Sequence, residues 1–241
     1  MKKVEFEKMY LLEGSHFWFL GKRYFISSYL NSIKDKIKEI LDVGCGTGGT
    51  TLFLNKYGRV VGIEKDPFAA KLAKKNKVRV ILGSANKLPF KTKKFDLVTY
   101  FNVLSHKKIN IKKALKEAKR VLKPQTFIII TDNALPILNS NHDHFFDIKK
   151  RYYLEEFEKL LNEMGFSIIK SSYIFFFLFP AVFLKRATVN RFINKSDVMP
   201  ASQIVNFLAG ILLKLEALLL PYVKYPIGSS LIILAQKNEK N

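Results

Sequence analysis

The stretch Ile40–Gly49 reads ILDVGCGTGG, an apolar run that ends in an aspartate and breaks into glycines. Gly44, Gly46 and Gly49 fit the G-x-G-x-x-G spacing of dinucleotide-binding loops. Gly44, Gly46 and Gly48 equally fit G-x-G-x-G. Glycines in such a loop let the backbone turn tightly and approach a ligand closely. Asp42 separates the ligand classes. A carboxylate two residues before the first glycine repels a pyrophosphate. It attracts a ligand carrying an ammonium and a sulfonium, as S-adenosylmethionine does; its other use is to cap the following turn. Glu64, 20 residues beyond Gly44, can accept hydrogen bonds from both hydroxyls of a ribose. NAD would use it in the same way, so Glu64 indicates a nucleoside without choosing one.

These residues need a scaffold that brings strand ends together. Two helical stretches open the chain, near Lys3–Leu12 and Phe17–Ile33. Short apolar strands then alternate with helices: strands at Lys38–Val43, Arg59–Glu64, Val78–Leu82, Phe95–Phe101 and Thr126–Thr131, helices at Gly48–Tyr57, from Pro67, and at Ile109–Leu122. This rhythm predicts a mostly parallel α/β sheet with helices on both faces and a ligand site beyond the carboxyl ends of its strands. The second half holds a polar, turn-rich segment at Asn133–Ile148, a helix at Tyr153–Met164 that ends at Gly165, and a sixth strand from Phe166. A very apolar run follows (Tyr173–Leu184), then a long helix at Ala201–Leu220 and a seventh strand at Gly228–Lys237.

ILDVGCGTG resembles the first motif of the class I S-adenosylmethionine-dependent methyltransferases. GIEKDPFAAKLAKK, GSANKLPFKTKKFDLV and VLSHKKINIKKALKEAKRVLKP resemble the segments that follow it in that family, in the same order. The resemblance covers Ile40–Thr131 and implies a Rossmann-like, seven-stranded fold. It also implies roles. Asp42, Gly44, Cys45, Gly46 and Gly48 would face the methionine end of the cofactor, Glu64 the ribose, Lys65, Ser84 and Ala85 the adenine, and Asn102 the cavity floor. Ser84 departs from the usual Asp, Ser105 from the usual Glu, and PQT from PGG.

The flanks narrow the group. EGSHFWFLGKR and LNSNHDHFFDIKKRYYLEEFEKLLNEMGF resemble paired motifs of the type 11/23-like methyltransferases, with Asn139 in place of a Trp and Ile148 in place of a His. The implied organisation is an N-terminal helical flap (1–36) and a methyltransferase domain (37–241). That domain divides into a cofactor-binding core (37–132) and a helical, apolar substrate cap (133–241). Methyl transfer is an in-line displacement, so the enzyme mainly positions the acceptor and excludes water. An oxygen acceptor gains from a general base. The candidates are His142, Asp143 and His106, with a polar turn as the alternative for the first two. Arg151 and Tyr152 could hold an anionic or sugar group. His16 and Trp18, with Phe17 and Phe19, could form a lid or simply pack.

Composition bounds the rest. The chain has 241 residues, a net charge of +21 and one cysteine, which excludes an internal disulfide framework. No metal centre is expected. The N-terminus lacks the unbroken apolar segment of a secretion signal, so a cytoplasmic setting is expected. Between Leu41 and Asp132 there are 20 basic residues against 6 acidic ones, whereas Asn133–Lys170 has 5 against 6. Only 7 of the 41 basic residues are arginine, which reads as a lysine-rich solvated surface more than a nucleic-acid face. Tyr173–Leu184 is too short to span a bilayer, and Lys214, Glu216 and Pro221 interrupt or end the second apolar run. Both suit a lid, a dimer interface or a peripheral membrane surface. The sequence therefore points to methyl transfer from S-adenosylmethionine to a small-molecule, lipid or glycan acceptor, on oxygen. Two other readings are a cofactor- or partner-binding protein that has lost catalysis and an RNA methyltransferase that uses the basic surface.

Overall fold

A computed structural model of the chain describes residues 2–188 and 199–239, without the side chains of residues 141, 142, 187 and 188. Its centre is one seven-stranded sheet. The strands are β1 (Glu39–Val43), β2 (Arg59–Glu64), β3 (Val80–Leu82), β4 (Phe95–Phe101), β5 (Leu122–Asn133), β6 (Phe166–Ile174) and β7 (Ser230–Lys237). They lie in the order β3-β2-β1-β4-β5-β7-β6, with β7 antiparallel between β5 and β6 and the other pairs parallel. The expected α/β, Rossmann-like sheet is therefore present. The order reverses between β1 and β4, which opens a crevice at the carboxyl ends of those strands.

The inner strands are buried on both faces, so Ile128, Ile129 and Ile130 of β5 and Leu231–Ala235 of β7 run as unbroken apolar stretches. β5 begins at Leu122 and includes Pro124, earlier than the expected Thr126. Helix α5 (Ile111–Val121) passes into it with no loop, because the amide of Lys94 bonds the Val121 carbonyl and pairs the chain with β4 at once.

Helices α1 (Lys3–Leu12) and α2 (Phe17–Leu30) make up the N-terminal segment expected as a flap. α2 is amphipathic toward the sheet: Phe25, Ile26 and Leu30 have no exposed surface and belong to the main core. α1 packs instead on α4 (Pro67–Lys75), through Phe6 against Ala69 and Leu72. The apolar run at Tyr173–Leu184 is divided between the end of β6 and helix α8 (Phe179–Thr188). α9 (Gln203–Leu219) lies across α2. Gly21 permits that approach, since a Cβ there would collide with the Leu213 side chain. Asn206 of α9 accepts a hydrogen bond at 2.9 Å from the Phe17 amide, which opens α2. Among the described residues, no helix is long and apolar enough to cross a membrane.

Candidate functional site

The loop after β1 is fixed before any ligand arrives. The amides of Gly44 and Cys45 both donate to the Ile63 carbonyl of β2, at 2.7 and 3.1 Å. Gly44, Gly46 and Gly48 have φ of +74°, +57° and +92°, the left-handed region where a side chain is strained. At Gly44 a Cβ would also sit 2.5 Å from Val103 Cγ2, whereas above Gly46 there is open space. Helix α3 (Gly49–Leu54) starts immediately after the loop.

Asp42 is buried, and two hydroxyls converge on its carboxylate: Thr99 donates to Oδ1 and Thr51 to Oδ2, each at 2.6 Å. Burial pushes its pKa up to about 6; the two hydroxyls oppose the shift, and the nearby charge of Glu64 adds to it. Glu64 accepts from three backbone amides, Gly46 on Oε2 at 2.9 Å and Lys65 and Asp66 on Oε1 at 2.7 and 2.9 Å. A second hydrogen bond can still be made at Oε2. The two carboxylates thus face one cavity with a polar, negatively charged end. A cation placed beside Asp42 stabilises its ionised form. Affinity for a cationic nucleoside is therefore expected to be full above about pH 7 and to decline as pH falls through about 6. Calorimetric titration with S-adenosylmethionine across that range checks this; a flat profile would mean that Asp42 does not sense the ligand.

The flap reaches into the same region through residues to which sequence reasoning gave no role. Glu13 accepts from Thr47 Oγ1 at 2.8 Å and from Asn76 Nδ2 at 3.0 Å, and Asn76 also donates to the Thr47 carbonyl at 3.0 Å. Burial raises the Glu13 pKa, while Thr47, the Gly49 amide and Arg23 lower it. These contacts tie the glycine loop to the flap. Lys22 lines the cavity and donates from Nζ to Asn102 Oδ1. Burial lowers its pKa to about 8, against the pull of Asp132 and with the push of Arg23. Asn102 itself has φ of +57°, which turns the chain sharply after β4. Glu13 and Lys22 both lie in EGSHFWFLGKR, where the aromatic residues drew attention away from the charges. Thr51 and Thr99 had no legible signal, because only folding brings them against Asp42.

Toward the adenine end of the expected site, Ser84 and Ala85 line the cavity beside Gly83 and Lys65. The Ser84 hydroxyl accepts from the Asn86 amide at 3.2 Å. His16 caps α2 by accepting from the Trp18 amide at 3.2 Å, and burial lowers its pKa. Trp18 stacks on Phe175, with ring centroids 3.9 Å apart and planes within 4°. Both residues line the cavity, but Trp18 is anchored as a packing residue.

The segment after β5 departs most from expectation. It forms a short helix, α6 (Asn141–Phe145), and the side chain of His142 lies outside the described residues. Asp143 is no free base. It is buried and paired in bidentate fashion with Arg151, Nε to Oδ2 and Nη2 to Oδ1, both at 2.7 Å. Arg151 also donates to the Ala134 carbonyl at 3.1 Å. The bidentate bond occupies the Asp143 carboxylate, so it offers no free base, while Arg151 both clasps it and lines the cavity, with Arg186 Nη1 a further 4.0 Å from Asp143 Oδ1. Tyr152 packs on Phe157, with centroids 4.7 Å apart, and is absent from the residues that line the cavity. His106 does line it. Its Nε2 lies 2.9 Å from the Asn102 carbonyl oxygen, which can only accept. In the neutral ring Nε2 then carries the hydrogen and Nδ1 the lone pair.

One cavity of about 820 Å³ joins these parts. It runs from Asp42 and Glu64 past Asn102 to His106, Asn133 and Ile148, and is walled on that side by residues of α8 and the start of α9. Its volume lies toward the upper end of the range for small-molecule sites. Among the described residues, no group of three or more His, Cys, Asp and Glu side chains could hold a metal ion.

A methyltransferase-domain family model matches residues 41–130. An uncharacterized protein of Methanocaldococcus jannaschii, MJ1252, is 40% identical over 104 residues, 41% of this chain and 39% of that protein. A second from the same organism, MJ1123, is 30% identical over 168 residues, 66% of this chain and 80% of that protein. The chain thus spans most of one relative and about two fifths of the other. A solved S-adenosylmethionine-dependent methyltransferase of Thermotoga maritima shares the fold, with a TM-score of 0.59 and 18% identity, over 98% of this chain and 95% of that one.

Proposed function

We propose a function from one premise: the chain belongs to the class I S-adenosylmethionine-dependent methyltransferases. That family uses S-adenosylmethionine, which when bound supplies an electrophilic methyl group on a sulfonium. The residues present fit such a group. Asp42 and Glu64 supply negative charge and hydrogen-bond acceptors, and the left-handed glycines leave room above Gly46. Asp42 would hold the cationic end through its field and through the loop it braces. Glu64 would take the ribose hydroxyls, and Ser84 and Ala85 the adenine edge.

In our reading the acceptor is a small molecule, lipid or glycan methylated on oxygen. The carrying observation is that a single cavity has two unlike ends, a carboxylate end at Asp42 and Glu64 and an end where the apolar Ile148, Leu178 and Val182 stand with His106 and the basic Arg151, Lys185 and Arg186. An end that combines apolar and basic side chains within one walled cavity favours a small amphipathic acceptor over a nucleic-acid strand. The chain's own residues would orient the acceptor hydroxyl, exclude water and remove its proton. Among the described residues, His106 is the base we assign, through Nδ1 of the neutral ring. Lys22 is a positioning residue that holds the Asn102 side chain at the cavity floor.

The test is acceptor-dependent release of S-adenosylhomocysteine, screened over lipid and glycan extracts. His106→Gln keeps a donor for the Asn102 carbonyl but no base. It is expected to lower kcat by about 10²–10⁴-fold with cofactor affinity unchanged. Full turnover by this variant would remove His106 from the chemistry.

A further inference from the structure

α9 presents a continuous apolar surface to the outside of the molecule. Ile204, Leu208, Ile211, Leu215 and Leu218 recur at helical spacing on one outward face, flanked by Phe207, Leu212 and Leu219, and every one is exposed. Phe207 is 67% exposed and Ile204 71%. Tyr222, just beyond the helix, is 87% exposed. Scattered exposed apolar residues are ordinary, but a contiguous face of this size marks an interaction site.

The exposed charge at its edge is basic. Within Phe175–Thr188 and Met199–Pro226 the charged residues are Lys185, Arg186, Lys214, Lys224 and Glu216. Glu216 points inward: it has no exposed surface, and its carboxylate accepts from the amides of Phe176 and Phe177 at 2.9 and 3.2 Å. The residue that interrupts the apolar run in sequence therefore does not interrupt the apolar face. Lys214 stands at its edge, and Lys224, on the turn beyond, pairs with Glu158 at 3.0 Å.

The cavity lies beside this face. Val205 and Met199 are 49% and 55% exposed, and both also line the cavity, together with Lys185 of α8.

We propose that the outward face of α9 docks on an anionic lipid bilayer and holds the side of the cavity lined by Met199 and Val205 at the membrane surface. An apolar helix face with Lys214 at its edge, on a chain of net charge +21, has the chemistry of interfacial binding to an anionic surface. A helix of 17 residues spans about 25 Å and lies along a membrane, with its inner side held by α2. A second copy of the chain fits less well, since it would bring a second net charge of +21 to the contact. The consequence for the acceptor, that it is an amphiphile entering from the bilayer with its tail along the apolar end, rests on the methyl-transfer reading; the docking does not.

The experiment is flotation of the full chain with vesicles of phosphatidylcholine containing about one third phosphatidylglycerol, alongside pure phosphatidylcholine vesicles and a high-salt arm. Phe207→Glu combined with Leu215→Glu changes two exposed side chains, and calorimetry with S-adenosylmethionine reports on its fold. The expected result is binding to anionic vesicles that falls at least ten-fold with pure phosphatidylcholine, with salt and in the variant, while cofactor affinity stays at the parent value. The proposal is overturned if the parent chain fails to float, or floats equally well in the variant. It is also overturned if the parent is a dimer that the variant dissociates, with no vesicle binding by either. Loss of cofactor binding by the parent chain would sink the methyl-transfer reading and leave the docking result standing.

Discussion

Asp42→Asn is expected to weaken S-adenosylmethionine binding by about 100-fold while leaving the protein at least as stable as the parent. About 100-fold corresponds to roughly 2.7 kcal/mol, within the range for a charge-assisted interaction at a buried carboxylate. The stability side follows from the same shift. The Asp42 pKa rises from 3.8 to about 6 because the folded protein buries the carboxylate. The folded state then holds a proton that the unfolded chain has released. The stability linked to that proton is complete below about pH 4 and is lost as pH rises through about 6. At neutral pH the loss is about 3 kcal/mol, which asparagine avoids. Asparagine keeps the shape of the carboxylate, and the hydroxyls of Thr51 and Thr99 can each donate or accept. Calorimetry and thermal melting of the variant read the two effects separately. Parent affinity in a stable variant would mean that the charge of Asp42 does not select the cofactor. Lost affinity with a lowered melting point would assign Asp42 to the architecture of the loop alone.

Arg151→Met is expected to destabilise the fold by about 3–5 kcal/mol, because it takes the bidentate partner from the buried Asp143 carboxylate and leaves only Arg186, 4.0 Å from Oδ1. Asp143→Asn should cost a similar amount by stranding the guanidinium. The double variant should lose clearly less than the sum, since each change removes the penalty left by the other. Urea denaturation of the three proteins measures this coupling. The comparison decides between two roles for the pair. A clasp predicts large, coupled stability losses with cofactor affinity intact in the folded protein. An acceptor site predicts parent stability with lost acceptor affinity, and that result would return Arg151 to the list of substrate ligands.

Much of the fold was legible because its elements are local. β2 and β4 fall at the residues where unbroken apolar runs sit between charged or turn residues, and α1 falls where its pattern begins and ends. Boundaries shifted where a neighbour intervened. α3 ends at Leu54 and not Tyr57, as the Tyr57 amide turns back to the Leu54 carbonyl, and β5 starts early by pairing with β4. The glycine loop was legible for the same local reason: left-handed backbone demands glycine whatever surrounds it.

What the sequence determined by itself was therefore the class of fold, the glycine loop and the pairing of a carboxylate at each of two strand ends, all written in short-range spacing. The tertiary structure alone decided which charges are free. It turned Asp143 onto Arg151, drew Glu13 and Lys22 into the cavity, set Thr51 and Thr99 on Asp42, and rotated Glu216 inward so that α9 shows an unbroken apolar face. Each outcome depends on a partner distant in sequence. A side chain's chemistry is fixed by its covalent structure, but its availability depends on the groups that burial places within hydrogen-bond reach.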